Sequence, residues 1–259
     1  IDAEQVPGLQ AVLSLNNMEL ILSRMSKSQA VDTMTIEDLF AEAYPNGFSK
    51  DNVKYIERSN AEVASINYTS GTTGFSKGVI TPANALAGNI LFGFKTGLVY
   101  PGCRHVAFLP LAHAYGCAFD FLACLAAGGH THLIGRTPSP KILMKAFAEV
   151  KPTLILSVPL ILEKIYKKMI QPQISRTAVS WVLKMPLLDK VVLNKIRETL
   201  VNAFGGEFSE IIIGGAPLNA EVEAFLKRLK FPLTVGYGMT ETAPLISFAH
   251  WDKFKSQSC

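Results

Sequence analysis

From residue 64 onward the chain alternates between short, nearly continuous apolar runs and longer stretches in which apolar residues recur every three or four positions. His105-Val106-Ala107-Phe108-Leu109, His132-Leu133-Ile134, Thr153 to Val158, Glu210 to Ile213 and Leu233 to Val235 lack polar alternation. That is the pattern of strands covered on both faces. Between them, Ala83 to Thr96, Gly116 to Ala127, Pro140 to Val150, Leu160 to Ile170, Asp189 to Phe204 and Ala220 to Leu229 carry helical periodicity. Around the fifth helix, Leu188, Val192, Ile196, Leu200 and Phe204 recur at four-residue steps, and Asn219 stands at the N-cap position of the sixth, ahead of Val222, Phe225, Leu226 and Leu229. Strand-helix alternation of this kind predicts an α/β fold, a largely parallel sheet flanked by helices with right-handed crossovers.

Ahead of this region Ala64 to Tyr68 alternates like a strand, and Gly78 to Thr81 resumes extended character before Pro82. The polar, glycine-containing stretch Pro45 to Asn60 reads as a connector and Gln171 to Pro186 as an irregular crossing. No internal repeat is visible. In parallel α/β sheets ligands collect beyond the carboxyl ends of the strands. The pattern therefore predicts that Gly214-Gly215-Ala216 and Tyr237-Gly238-Met239-Thr240-Glu241, each following a strand, share one rim.

With 259 residues, 49% of them hydrophobic and 18% charged, the chain can bury a substantial core and is not of disordered composition. The longest apolar stretch, Ala118 to Ala127, is broken by Asp120 and falls short of the roughly 20 residues a membrane span needs. The start, Ile1-Asp2-Ala3-Glu4, lacks the basic and hydrophobic regions of a signal peptide. A cytoplasmic location is the default expectation, with peripheral membrane contact of a longer protein left open. The net charge of +4 is spread along the chain, and its densest group, Lys164, Lys167 and Lys168, falls on the polar face of an amphipathic helix. A nucleic-acid partner is not expected. Cys103, Cys117, Cys124 and Cys259 form no C-x-x-C pair and read as reduced structural thiols. His130-Thr131-His132 offers two ligands on one strand face but no third at metal-binding spacing.

The candidate chemistry begins between the first two predicted strands, in Asn67-Tyr68-Thr69-Ser70-Gly71-Thr72-Thr73-Gly74-Phe75-Ser76-Lys77-Gly78-Val79. Glycines let consecutive backbone N–H groups approach one anion, the hydroxyls add short rotatable donors, and Lys77 adds a positive charge. Composition alone would also fit an ordinary turn, but the flanking strands make it a positioned loop. It departs from the Walker pattern because Gly78, not Ser or Thr, follows the lysine.

This run resembles the phosphate-loop signature of the adenylate-forming superfamily, and three further stretches resemble that family's motifs in the correct order. They are Phe108-Leu109-Pro110-Leu111-Ala112-His113-Ala114-Tyr115-Gly116, Ile213-Gly214-Gly215-Ala216-Pro217-Leu218 and Val235-Gly236-Tyr237-Gly238-Met239-Thr240-Glu241-Thr242. The resemblance covers about Ser65 to Pro244, and the segment from Leu187 to Gly206 is particularly similar to long-chain fatty acid–CoA ligases. Ser76 stands where the family usually has proline before the loop lysine. Ala216-Pro217 differs from amino-acid-adenylating domains, whose equivalent turn usually carries an acidic residue.

The resemblance implies ATP-dependent activation of a fatty acid to acyl-AMP and then, with CoA, to acyl-CoA. An aryl-acid or other medium-chain ligase, or a nucleotide-binding fragment without turnover, are the alternatives. By motif match Thr69, Ser70, Gly71, Thr72, Thr73, Gly74 and Lys77 would hold the β- and γ-phosphates of ATP. Gly214, Gly215, Ala216 and Pro217 would shape the adenine slot, with Tyr237, beside Gly238, stacking on the base. Thr240 would contact the α-phosphate region, Glu241 would bind Mg2+, and His113 would line the acyl pocket. Taken without the motifs, Glu241 is an exposed loop carboxylate, Tyr237 a strand-end aromatic and His113 a satisfied structural residue. Phe92, Phe94, Phe119 and Phe121 could border an acyl tunnel, but aromatics near helical spacing are usually core and they are not taken as site residues. Residues 1–60 carry no placeable motif and form a flank and connector, and 61–259 form an AMP-binding core. Nothing after Glu241 resembles the family's ribose-binding aspartate, hinge or C-terminal domain, so an internal piece of a longer enzyme, inactive alone, is expected.

Overall fold

The computed structural model of the chain describes residues 11–13, 20–23, 36–54, 57, 59–70, 76–135, 137–175, 181, 182, 185 and 188–258. They fall into two compact units, 1–57 and 58–259. In the first, β1 (Ala11–Leu13) pairs antiparallel with β2 (Leu20–Ser23). It also contains α1 (Ile36–Ala43), whose Phe40 packs with Tyr44 and Phe48 beyond it, the three ring centroids 4.8–5.7 Å apart.

The second unit opens with an antiparallel ribbon, β3 (Val63–Ser70) and β4 (Ser76–Pro82), in which Thr69 faces Lys77 and Ser70 faces Ser76. Gly71, Thr72, Thr73 and Gly74, with Phe75, lie outside the described residues. β4 passes directly into α2 (Ala83–Lys95). β5 (Arg104–Ala107) then pairs parallel with β6 (His130–Leu133). The helix between them is not the uniform α-helix its periodicity predicts. Gly116–Ala123 is wound as a π-helix and only the last turn, α3 (Cys124–Ala126), is α-helical. β5 also stops two residues before the predicted Leu109, because Pro110 has no N–H to donate to a ladder and the chain turns there.

The central sheet has the order β7 (Ile155–Ser157), β8 (Ile211–Ile213), β9 (Leu233–Val235), all parallel, with Ile155 level with Ile211 and Ile211 level with Leu233. Every residue of these three strands is buried, as expected when helices cover both faces. The covering helices are α4 (Pro140–Val150), α5 (Pro159–Met169), the single turn α6 (Gln171–Ile174), α7 (Leu188–Ala203) and α8 (Ala220–Arg228). Proline at the first turn of α4 and α5 sacrifices no helical hydrogen bond there. The four-residue stripe of α7 buries Ile196 and Leu200, and Phe204 just beyond it packs against Phe147, Phe208 and Phe231.

Asn219 caps α8 as predicted, its Oδ1 accepting from the N–H groups of Glu221 and Val222 at 3.0 and 3.2 Å. Asn219→Ala is expected to cost about 1 kcal/mol, read as a lower midpoint in urea unfolding with an unchanged slope. The end of the chain folds back on the sheet through buried carboxylates. Glu210 accepts from the Trp251 N–H at 3.1 Å and lies 2.6 Å from His250 Nδ1, while Glu223 accepts from the Gln257 N–H. Among the described residues no helix is long and apolar enough to cross a membrane.

Candidate active site

Beyond the carboxyl end of β8 the chain turns at Gly214 and Gly215, where the Gly214 N–H donates to the Ser157 carbonyl at 3.0 Å and Gly215 takes a φ of +85°. Gly214 has a second constraint. A Cβ there would lie 3.0 Å from the ring of Tyr115, whose hydroxyl donates to the Ile212 carbonyl at 3.0 Å. Burial, helped by nearby Asp120, pushes the Tyr115 phenol well above its ordinary pKa and keeps it a donor. The aromatic that follows the histidine motif thus seals one side of the glycine turn.

Beyond β9 the Gly236 N–H bonds the Ile213 carbonyl at 2.8 Å, and the chain enters a hairpin absent from the periodicity reading. β10 (Tyr237–Gly238) pairs antiparallel with β11 (Leu245–Ser247) around a 3-10 turn, Thr240–Thr242. The Thr242 hydroxyl donates within this turn, and the Met239 N–H bonds the Pro244 carbonyl at 2.9 Å. On α2, Asn89 Oδ1 accepts from the Leu245 N–H at 3.2 Å and so ties the hairpin to that helix.

Residues of both turns line one cavity of about 400 Å³. Of the residues nominated from sequence, His113, Gly214, Gly215, Tyr237, Gly238 and Thr240 line it. Ala216 and Pro217 are exposed just past the glycine turn and do not line it, nor does Glu241, which is exposed on the adjoining 3-10 turn. That turn lies against β4, the strand carrying exposed Lys77. The ribbon is also fixed to the histidine motif, since Asn67 Nδ2 donates to the Ala112 carbonyl at 2.7 Å. Thr69 and Ser70 end β3 on the same ribbon. The Gly71 to Gly74 part of the nominated set lies outside the described residues.

The body of the cavity is apolar. Phe92, Leu98, Leu109, Phe119, Leu156 and Phe248 are among its walls. Phe92 and Phe119 therefore do more than fill core as their helical spacing suggests, whereas Phe94 and Phe121 do not line the space. Tyr115, Asn67 and Asn89 are the functional supports that sequence reasoning missed. Tyr115 was within a recognised motif, but its partners Ile212 and Gly214 come from a distant strand and turn that local patterning does not connect. Glu241 fits a magnesium ion by donor chemistry: it offers an exposed hard carboxylate with no ion pair among the described residues.

A parallel α/β sheet with a cavity beyond its carboxyl ends, walled by glycine turns, is the arrangement in which such folds bind their ligands. Solved structures share this fold. ATP-bound MatB from Rhodopseudomonas palustris superposes with a TM-score of 0.55 at 24% identity, over 76% of this chain and 33% of that one. An ATP-bound RpMatB-BxBclM chimera gives 0.53 at 26% identity, over 73% and 31%.

The chain belongs to the AMP-binding enzyme family, whose model matches residues 8–259. Among curated relatives it is 32% identical over 211 residues to long-chain-fatty-acid–CoA ligase 4 of Saccharomyces cerevisiae, covering 74% of this chain and 30% of the yeast protein. It is likewise 32% identical over 212 residues to the peroxisomal long chain acyl-CoA synthetase 7 of Arabidopsis thaliana, covering 72% and 28%. The chain thus spans about a third of the length of the curated relatives it matches.

Proposed function

We propose that the chain is the nucleotide-binding part of a ligase that activates long-chain fatty acids, first as acyl-AMP and then, with CoA, as acyl-CoA. The observation that carries this reading is the cavity itself. One cavity is lined both by the apolar side chains of Phe92, Leu109, Phe119 and Leu156 and by the turns of Gly214 and Thr240, which supports burial of a hydrocarbon tail with its carboxylate near a nucleotide at those turns. The long-chain ligases among the relatives agree with it.

In this reading no general base is needed, because a carboxylic acid with a pKa of about 4–5 is already ionised near neutrality. The carboxylate attacks the α-phosphorus, pyrophosphate departs with the electrons of the broken bond, and the CoA thiol later takes the acyl group and releases AMP. The obstacle is repulsion between an anion and a polyphosphate. Thr69, Ser70 and Lys77 on the ribbon, with Gly71, Thr72, Thr73 and Gly74 of its connecting loop, hold the outgoing phosphates. Gly214, Gly215, Ala216 and Pro217 bound the adenine and Tyr237 stacks on it. Thr240 donates to the α-phosphate, His113 faces the acid from the cavity wall, and Glu241 holds Mg2+. The magnesium ion supplies neutralisation of the developing phosphate charge.

A series of non-hydrolysable acyl-adenylate analogues tests the substrate class. Binding to the chain, measured by calorimetry, is expected to tighten about fourfold per added methylene, from about 0.8 kcal/mol each, until the cavity is filled. A flat series, or a preference for a benzoyl analogue over every alkyl one, would replace the long-chain assignment with an aryl-acid ligase.

A further inference from the structure

A second cluster of polar side chains lies buried away from the cavity lining. Cys103 immediately precedes β5, His105 is on that strand, Asp120 is in the π-helix and Cys124 opens α3. All four are essentially sealed from solvent, Asp120 being 1% exposed and the other three 0%. Among the described residues neither ring nitrogen of His105 has a hydrogen-bond partner, nor does Asp120 Oδ2. His105 Nδ1 and Asp120 Oδ1 are 3.8 Å apart, too far for a hydrogen bond. Protein interiors rarely leave several polar atoms of one cluster unsatisfied, and such a group calls for an explanation.

We propose that Cys103, His105 and Cys124 form a binding site for a thiophilic divalent cation, zinc, with Asp120 as the carboxylate behind the imidazole. One nitrogen of His105 and the two sulfurs all lie within 4.8 Å of one another. The two sulfurs are 3.7 Å apart. Two thiolates bound tetrahedrally at about 2.3 Å from one zinc are about 3.8 Å apart. Metal-bound histidines commonly have a carboxylate beside the ring, and Asp120 Oδ1 lies 3.8 Å from His105 Nδ1. The remaining coordination position falls to a water.

The backbone around the cluster is shaped to this spacing. A Cβ at Gly129 would lie 2.5 Å from Cys103 Sγ and 2.7 Å from Cys124 Sγ, so only glycine lets the turn pass over both sulfurs. The same turn is pinned by the Gly129 N–H on the Cys124 carbonyl at 2.9 Å and the His130 N–H on the Cys103 carbonyl at 2.7 Å. Binding forms two Zn–S bonds as two thiol protons leave, and the neutral imidazole adds a lone pair. The two thiolates then balance the dication. A disulfide between Cys103 and Cys124 would join the sulfurs but leave His105 and Asp120 unpartnered, so the metal accounts for more of what is seen.

The test is independent of ligase activity. The purified chain, dialysed against a zinc buffer, is expected to retain about one zinc per molecule, and Co2+ substitution should produce a thiolate-to-cobalt charge-transfer band in the near ultraviolet. Zinc should also raise the Tm. Cys103→Ser and Cys124→Ser should each abolish the band and the shift, His105→Gln should weaken both, and Cys117→Ser, at a cysteine outside the cluster, should change neither. If a serine variant does not fold, the cobalt spectrum of the unaltered chain decides. A chain that retains no zinc and shows no charge-transfer band overturns the proposal, and so does a band that survives Cys124→Ser.

Discussion

Gly238→Ala is expected to weaken binding of a long-chain acyl-adenylate analogue about thirtyfold, roughly 2 kcal/mol, while lowering the Tm only slightly. A Cβ at this position would strike the carbonyl of Pro244, with the Pro244 carbon at 3.0 Å and the Leu245 Cα at 3.2 Å also in the way. All three obstacles are backbone, so no side-chain rotation relieves the collision. The β10–β11 hairpin must open, and Tyr237 and Thr240 move with it. The core is spared because the three buried strands β7, β8 and β9 lie outside the hairpin. Isothermal calorimetry beside a thermal melt separates the two effects. Unchanged affinity would show that the hairpin does not hold the nucleotide.

Lys77→Ala and Glu241→Gln, made in a whole protein containing this chain, are expected to lower kcat/KM for MgATP by about 10²–10³ without a change in Tm. Both side chains are exposed and have no ion pair among the described residues, so their removal takes little from the folded state. The two variants should differ in one respect. Glu241→Gln should raise the magnesium concentration needed for half-maximal pyrophosphate exchange, whereas Lys77→Ala should leave that requirement alone and raise the KM for ATP. Identical magnesium curves for both variants would remove the metal-binding role from Glu241.

Much of this architecture could be read from local pattern because the pattern and the burial share one cause. Ile211–Ile213 and Leu233–Val235 are uniformly apolar since both faces are covered, and α4 begins and ends where Pro140 and Val150 suggest. Asn219 announced its helix by side-chain chemistry that acts over two or three residues. The elements that escaped depend on partners distant in sequence. β10 is only two residues long and exists through its pairing with Ser247 and Leu245, which no run of Tyr237-Gly238 could reveal. The π-winding of Gly116–Ala123 leaves the apolar composition of a buried helix intact and changes only its hydrogen-bond step, so periodicity passed over it. At the site, motif order brought out the cavity rim but not Tyr115, whose contribution depends on the missing side chain of Gly214. The two orphaned nitrogens of His105 were equally hidden, for a strand histidine looks the same in sequence whether satisfied or not.

The bond from Asn67 to the Ala112 carbonyl and the bond from Asn89 to the Leu245 N–H are made by one uninterrupted length of chain, β3 through α2. The first fastens to the stretch that carries His113 and the second to Leu245, and both of those residues line the cavity. Two asparagines outside the cavity lining thus fix the spacing between the wall that carries His113 and the wall that carries Leu245.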